Sequence, residues 1–305
     1  MLAEASCCTP TRNTKHVKSA APALSGCSPK RAAAPLRRLP GGRFIMGSVD
    51  EYTNPFDGEG PIREVVLRPF AMGSTAVTNE SFKRFVDDTG YVTDAEREGW
   101  SFVFHLLVPP DLRRTISKAA AAAPWWLPVP GSCWHRPEGP HSDIASRGDH
   151  PVVHVSWNDA QAFCAWADAR LPTEAEWEFA ARGGMEDARY PWGNELMLDG
   201  KHHCNIWQGR FPTENTADDG WLSTAPVKTY EPNGFGLYNM VGNVWEWCDD
   251  WFDDSQQTKA IRGGSYLCHA SYCNRYRVSA RSQSTTNSSA GNIGFRCAAW
   301  SQSEP

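Results

Sequence analysis

Two cysteines, Cys268 and Cys273, lie five positions apart in GGSYLCHASYCNRYR, residues 263–277. On a strand that interval puts the side chains on opposite faces, and on a helix it sets them far round the cylinder. Fully extended it spans ~17 Å, so bringing the sulfurs together requires a bend, with His269, Ala270 and Ser271 as bend residues. Paired thiols form a redox disulfide, or as thiolates hold a soft ion such as Cu(I) or zinc. Zinc normally takes four ligands, and no second cysteine pair lies nearby in sequence. A structural disulfide, or two unrelated buried thiols, is the plainer alternative.

Other candidates carry weaker signals. Cys164 falls on the apolar face of an expected helix and Cys297 in Gly294–Cys297, so they are either bridged or core thiols. Cys133, Cys204 and Cys248 read as ordinary buried thiols. His150 and His154 have helical metal-ligand spacing, but Pro151 and two valines between them predict an extended segment instead. Glu174, Glu176 and Glu178 read as solvated or capping residues of a helix start. Asp218, Asp219, Asn239 and Glu246 lie in loop-like sequence, where Asn and Asp side chains with nearby carbonyls suit hard cations. There is no EF-hand, Walker loop, dinucleotide fingerprint or G-x-S-x-G elbow.

The elements that must position these residues are few. Strands are expected at Arg43–Met46 and Arg63–Phe70. Thr78 caps a helix to about Asp88, stopped by Gly90. A second helix starts near Asn158 and carries Ala162, Phe163, Trp166 and Ala167 inward. Thr173 and Glu176 make a capping box for a third, through Arg182, ended by Gly183-Gly184. Regular periodicity then fades: residues 185–300 are rich in Gly, Asn, Pro and Trp. Large flat side chains can build a core beneath loops, and indole N–H groups can cap stray carbonyls.

The whole chain has 305 residues, a net charge of −5, 41% hydrophobic and 21% charged residues, which excludes wholesale disorder. The acidic balance speaks against nucleic acid as a partner. No run of about 18 apolar residues exists, so no membrane helix is expected. Residues 1–38 are rich in Ala, Pro, Ser, Lys and Arg without apolar periodicity, which predicts a mobile tail. No apolar core of a secretory signal follows the start; an organelle transit peptide is the alternative to a cytoplasmic location. A single domain is expected at 39–300, with 301–305 as a short C-terminal tail.

Five segments carry a resemblance: HPVVHVSWN (150–158), RLPTEAEWEFAARGG (170–184), CNIWQGRFP (204–212), PNGFGLYNMVGNVWEW (232–247) and the 263–277 segment, with Gly294–Cys297 as a further match. Over about 39–300 the chain resembles the formylglycine-generating enzymes, the sulfatase-modifying factors; the Cys268…Cys273 segment is the specific part. The resemblance implies an α+β fold with extensive irregular loops, a single-domain variant of the C-type-lectin fold. It implies oxidation of the cysteine of a C-x-P-x-R motif in an unfolded sulfatase to Cα-formylglycine, with O₂ and a thiol reductant. Cys268 and Cys273 match its Cu(I) ligands, and Ser265 and Tyr272 its polar active-site neighbours. Two calcium sites are implied: Asn205 and Asp219 side chains with Ile206 and Trp221 carbonyls, and Asn239 and Glu246 side chains with Gly242 and Val244 carbonyls. Cys164 and Cys297 match a family disulfide; Ala181 and Val278 stand where vertebrate members have a second. A monomer is expected.

The tail holds Cys8-Thr9-Pro10-Thr11-Arg12, itself a C-x-P-x-R match. Either it is a chance match in a mobile tail, or it is a tethered pseudo-substrate at high effective concentration. Two other functions compete with the oxidase. A non-catalytic sulfatase-binding paralogue predicts loss of the cysteine pair, and an iron-dependent sulfoxide synthase predicts a histidine-rich triad; neither feature is found.

Overall fold

The computed structural model describes residues 9–12, 35–120 and 123–300. The expected C-terminal tail and most of the expected N-terminal tail lie outside them. Thr9–Arg12 does not: three of its four residues are buried.

The folded body begins with β1 (Leu36–Leu39), three residues before the expected start, and continues with β2 (Gly42–Met46), β3 (Arg63–Leu67) and β4 (Phe70–Gly73). The single strand expected over 63–70 is two, because Pro69 has no N–H to continue a ladder. β3 pairs with β2, while β4 joins another sheet beside β1. Next come α1 (Asn79–Thr89), α2 (Asp94–Glu98), β5 (Trp100–Phe104), α3 (Pro110–Thr115) and β6 (Trp126–Pro130). Thr78 caps α1 through Ser81 N–H, and Gly90 ends it at φ 65°. α2 is an element beyond the expected helices, started by a Thr93…Glu96 capping box in which both reciprocal bonds form. α4 (Trp157–Trp166) starts from a Ser156/Asp159 box and α5 (Glu174–Arg182) from the expected Thr173/Glu176 box.

The second half holds four two-residue strands, β7 (Met197–Leu198), β8 (Lys201–His202), β9 (Gly209–Arg210) and β10 (Glu214–Asn215). After them come β11 (Trp245–Trp251), β12 (Lys259–Arg262), β13 (Arg281–Ser284), β14 (Ile293–Gly294) and β15 (Ala298–Trp300). The main sheet has the order β13-β12-β11-β14, with only β11/β14 parallel; a second sheet runs β1-β4-β15. β15 returns the chain to β4, so the two ends of the body close on one another.

Seven of the fourteen tryptophans are buried, so they form a large part of the core under the loops. The capping role of indoles is real but partial. Trp247 donates to Val155 O (3.1 Å), Trp157 to Cys248 O (3.0 Å) and Trp177 to the Glu246 carboxylate (2.8 Å).

Candidate active site

β12 ends at Arg262, and Gly263 and Gly264 turn the chain toward the cysteines. Gly264 has φ 73°, and a Cβ there would stand 2.7 Å from Arg275 O. Only glycine lets the two ends of the cysteine loop touch, at 264 and 275–276. Inside the loop the expected bend is present. The His269 carbonyl accepts the N–H groups of Tyr272 (3.0 Å), Cys273 (3.0 Å) and Asn274 (3.2 Å), and the His269 ring meets Ser271 Oγ at 2.7 Å. Cys268 and Cys273 are both buried, 1% and 7% exposed.

The surroundings are aromatic and polar. Ser265 N–H points at Cys268 Sγ (3.4 Å), and Ser265 Oγ accepts from Asn292 Nδ2 (3.1 Å) and Leu267 N (3.3 Å). An N–H aimed at sulfur favours the thiolate. Tyr272 stacks on Phe211 (4.5 Å between centroids) and meets Trp125 edge-on (5.0 Å). Trp125, Trp126, Phe211, Ser265, Leu267, Cys268 and Tyr272 line a narrow, tightly filled cleft. Beneath it Tyr276 stacks on Tyr190; burial pushes the Tyr276 phenol up, and the nearby Tyr190, Cys204, Cys268 and Cys273 add to that. Three of the four expected site residues, Ser265, Cys268 and Tyr272, line this cleft, and Cys273 is buried on the same bend. Asn292, Trp125, Phe211 and Tyr276 were not anticipated, because three of them come from distant loops and no local spacing marks them.

Two buried ion pairs pin the cysteine loop. Arg275, two residues past Cys273, is bidentate to Asp57 (2.5 and 2.9 Å). Arg277 is bidentate to Glu59 at 2.6 Å to each oxygen, and Ser279 Oγ donates to the same carboxylate. The glutamates of α5 are likewise not solvated. Glu174 pairs with Arg262 and Arg281, Glu176 with Arg170, and Glu178 with Arg182 and Arg262. Glu176 does cap, accepting Thr173 N–H, but the ion-pair partners, 4 to 107 residues away with Arg262 and Arg281 on later strands, take the carboxylates out of solvent.

Of the first expected calcium site, Ile206 O and Asp219 Oδ2 come together, both accepting from Gln208 Nε2. Asn205 Oδ1 is buried with no hydrogen-bond partner. Asp219 receives Ile206 N–H (3.1 Å), Trp221 N–H (3.0 Å) and Gln208 Nε2 (3.0 Å). Burial still pushes its carboxyl above the ordinary value, so a cation there would relieve a desolvated anion. In the second set Asn239 Oδ1 is also buried without a partner. Glu246, however, already accepts Arg296 through both oxygens (2.6 and 2.7 Å) as well as Trp177. Cys164 and Cys297 face each other as thiols, Sγ to Sγ 3.8 Å. Cys133, Cys204 and Cys248 are buried, as expected of core thiols.

His154 is a core histidine, fully buried, at φ 58°, with Nδ1 2.8 Å from Ser101 Oγ. Burial lowers its pKa from 6.5 to about 4. The unfolded chain therefore binds a proton that the folded chain refuses. Stability from this group is full above pH 6.5 and is lost as pH falls toward 4, on the order of 3 kcal/mol at most. Melting temperature should fall over that window in the native chain and less steeply in His154→Asn, which tolerates the left-handed backbone. Equal slopes would remove His154 from the account.

No helix among the described residues is long and apolar enough to cross a membrane. The sulfatase-modifying factor enzyme 1-like domain model matches residues 24–300. The formylglycine-generating enzyme of Streptomyces coelicolor is 58% identical over 277 residues, covering 86% of this chain and 88% of that protein. The inactive C-alpha-formylglycine-generating enzyme 2 of Bos taurus is 47% identical over 265 residues, 86% of each. Among solved structures, PvdO from Pseudomonas aeruginosa shares the fold, with TM-score 0.62 at 24% identity over 87% of this chain and 94% of that one. With the domain model covering nearly the whole described body, the chain belongs to the sulfatase-modifying factor enzyme 1-like family.

Proposed function

We propose that this chain converts the cysteine of a C-x-P-x-R motif in an unfolded sulfatase to Cα-formylglycine, using O₂ and a thiol reductant. The observation that carries the reading is that Cys268 and Ser265 line one aromatic cleft, with Cys273 buried on the same tight bend. Relatives of similar identity include both active and inactive proteins, so identity alone does not decide; the thiol pair favours the active reading. The balance is R–CH₂–SH + O₂ + 2 R′SH → R–CHS + R′SSR′ + 2 H₂O, followed by R–CHS + H₂O → R–CHO + H₂S. Oxygen takes four electrons, two from the substrate C–S unit and two from the reductant.

Two buried thiolates on a tight bend suit Cu(I), which prefers soft, low-coordinate sites. Held by Cys268 and Cys273, the ion would supply the one-electron chemistry with O₂ that no side chain offers. The protein's own part is positional. The Ser265 N–H supports the Cys268 thiolate, Asn292 orients the Ser265 hydroxyl, and Trp125, Phe211 and Tyr272 keep bulk water from the cleft. Incubating Cu(I)-loaded protein with a C-x-P-x-R peptide in air should give the mass loss of thiol-to-aldehyde conversion. Unchanged peptide mass would end this reading.

We also propose calcium at both expected oxygen sets, tighter at Asn205/Asp219. At the second set the Glu246 charge is shared with Arg296, which weakens its pull on an ion. Calcium at a hundredfold excess over its dissociation constant stabilises by about 2.7 kcal/mol. The melting temperature of the native chain should rise on adding calcium, and Asp219→Ala should lose most of that rise. A full rise in the variant would rule out the first site.

A further inference from the structure

The arginine pocket beside the cleft is filled by this chain itself. Thr9, Pro10 and Arg12 are buried and only Thr11 is exposed. The guanidinium of Arg12 lies 4.2 Å above the Trp100 ring. Its Nη2 donates to Trp100 O and to Ser289 Oγ (3.2 Å), and its backbone N–H donates to Ser288 Oγ (2.7 Å). Burial lowers the Arg12 pKa, and the charges of Glu98, Asp94 and Asp159 in the neighbourhood partly oppose that. At the other end Thr9 Oγ1 donates to Gln283 O (2.9 Å) on β13. A planar cation lies against an aromatic face, with oxygen acceptors on Nη2 while Nε and Nη1 are buried without a hydrogen-bond partner, so stacking and the Nη2 bonds hold the arginine here.

The pocket is next to the proposed chemistry. Ser289 precedes by three residues Asn292, which bonds Ser265 Oγ. Three residues span at most ~11 Å. A C-x-P-x-R peptide reaches at most ~14 Å from its cysteine to its arginine. An arginine held at Trp100 and Ser289 is therefore within one motif length of the cleft.

We propose that Thr9–Arg12 occupies in cis the pocket that receives the arginine of a C-x-P-x-R polypeptide, so that the N-terminal motif competes with substrate. The proposal rests on the function proposed above, because that function makes the pocket a substrate subsite. Residues 13–34 join Arg12 to the body in one chain, and a tether of that length gives an effective concentration on the order of mM at a site it can span. Thr9 adds an anchor on β13 that a substrate with another residue there lacks. Occupancy of this kind lowers apparent substrate affinity by the fraction of chains left open, and leaves the chemical step alone.

The test compares the full native chain with Arg12→Ala and, as a control at the exposed position, Thr11→Ala. Two readouts are used: equilibrium binding of an S-x-P-x-R peptide, which has no thiol to react, and steady-state conversion of the matching C-x-P-x-R peptide. Arg12→Ala should tighten binding and lower KM by roughly three- to tenfold at unchanged kcat, and Thr11→Ala should change neither. A synthetic peptide of residues 7–14, with both cysteines replaced by serine, should compete in Arg12→Ala. Identical binding and KM in native and Arg12→Ala protein would overturn the proposal while leaving the conversion intact. Tighter S-x-P-x-R binding in Arg12→Ala without any conversion would uphold the cis occupancy and sink the proposed chemistry instead.

Discussion

Cys268→Ser and Cys273→Ser should each reduce kcat for conversion of a C-x-P-x-R peptide on the order of 10³-fold or more, with little change in KM. The reasoning is geometric. The two sulfurs are buried on one bend, created by three N–H groups sharing the His269 carbonyl. A two-ligand soft site does not survive loss of either thiolate, since a serine hydroxyl is a hard and far weaker ligand. Residues acting as one unit each cost nearly the whole effect, so the double variant should be scarcely worse than either single one. Arginine recognition at Trp100 lies outside the pair, so binding of an S-x-P-x-R peptide should survive. Activity within tenfold of native in both variants would show that the chemistry sits elsewhere.

The second large effect is on stability and is read at Arg277. Its side chain is 1% exposed and that of Glu59 is fully buried. Burial pushes Glu59 up, but Arg277, Asn54 and Ser279 outweigh this and hold its carboxyl below the ordinary value. This pair therefore contributes stability above the ordinary carboxylate range and loses it as pH falls through the lowered value. Arg277→Met leaves Glu59 buried without its charge partner, which typically costs about 3–5 kcal/mol. Denaturant titration should show that loss at neutral pH. Arg277→Met with Glu59→Leu should recover much of it, because a pair replaced by apolar residues of similar volume is often near neutral. A loss under about 1 kcal/mol in the single variant would mean that the pair does not hold the cysteine loop. The same variant should reduce conversion, since Arg277 lies four residues beyond Cys273.

What was legible in the sequence was local. Thr78, Thr173, Gly90 and Gly183 act within one turn of their own helix, so residue type and spacing suffice to place them. The need for a bend between Cys268 and Cys273 followed from chain geometry alone. The main sheet was hidden for the opposite reason. The first four residues of β11 are buried without alternation, its register shifts between Trp247 and Trp251, and its partners are strands of two to four residues. Long-range pairs such as Arg277–Glu59, 218 residues apart, leave no periodic mark. For the same reason Glu174 and Glu178 read as surface carboxylates although they anchor Arg262 inside the core. The role of Asn292 depends on where a Gly-rich loop returns beside Ser265, which packing decides.

The tail shows both sides of this. Composition alone predicts mobility for residues 1–38, and the short C-x-P-x-R match is either chance or a tethered pseudo-substrate. Within the described part, Thr9–Arg12 is seated rather than mobile, through the Arg12 stack on Trp100 and hydrogen bonds from Thr9 Oγ1 and Arg12 N–H.

Copper stoichiometry tests the central claim most directly. In an anaerobic competition titration against a Cu(I) indicator, the native chain should hold a single Cu(I), and Cys268→Ser and Cys273→Ser should each lose it to the indicator. Retention of Cu(I) by both variants with native affinity would contradict the assignment of these two thiols as the centre of the site.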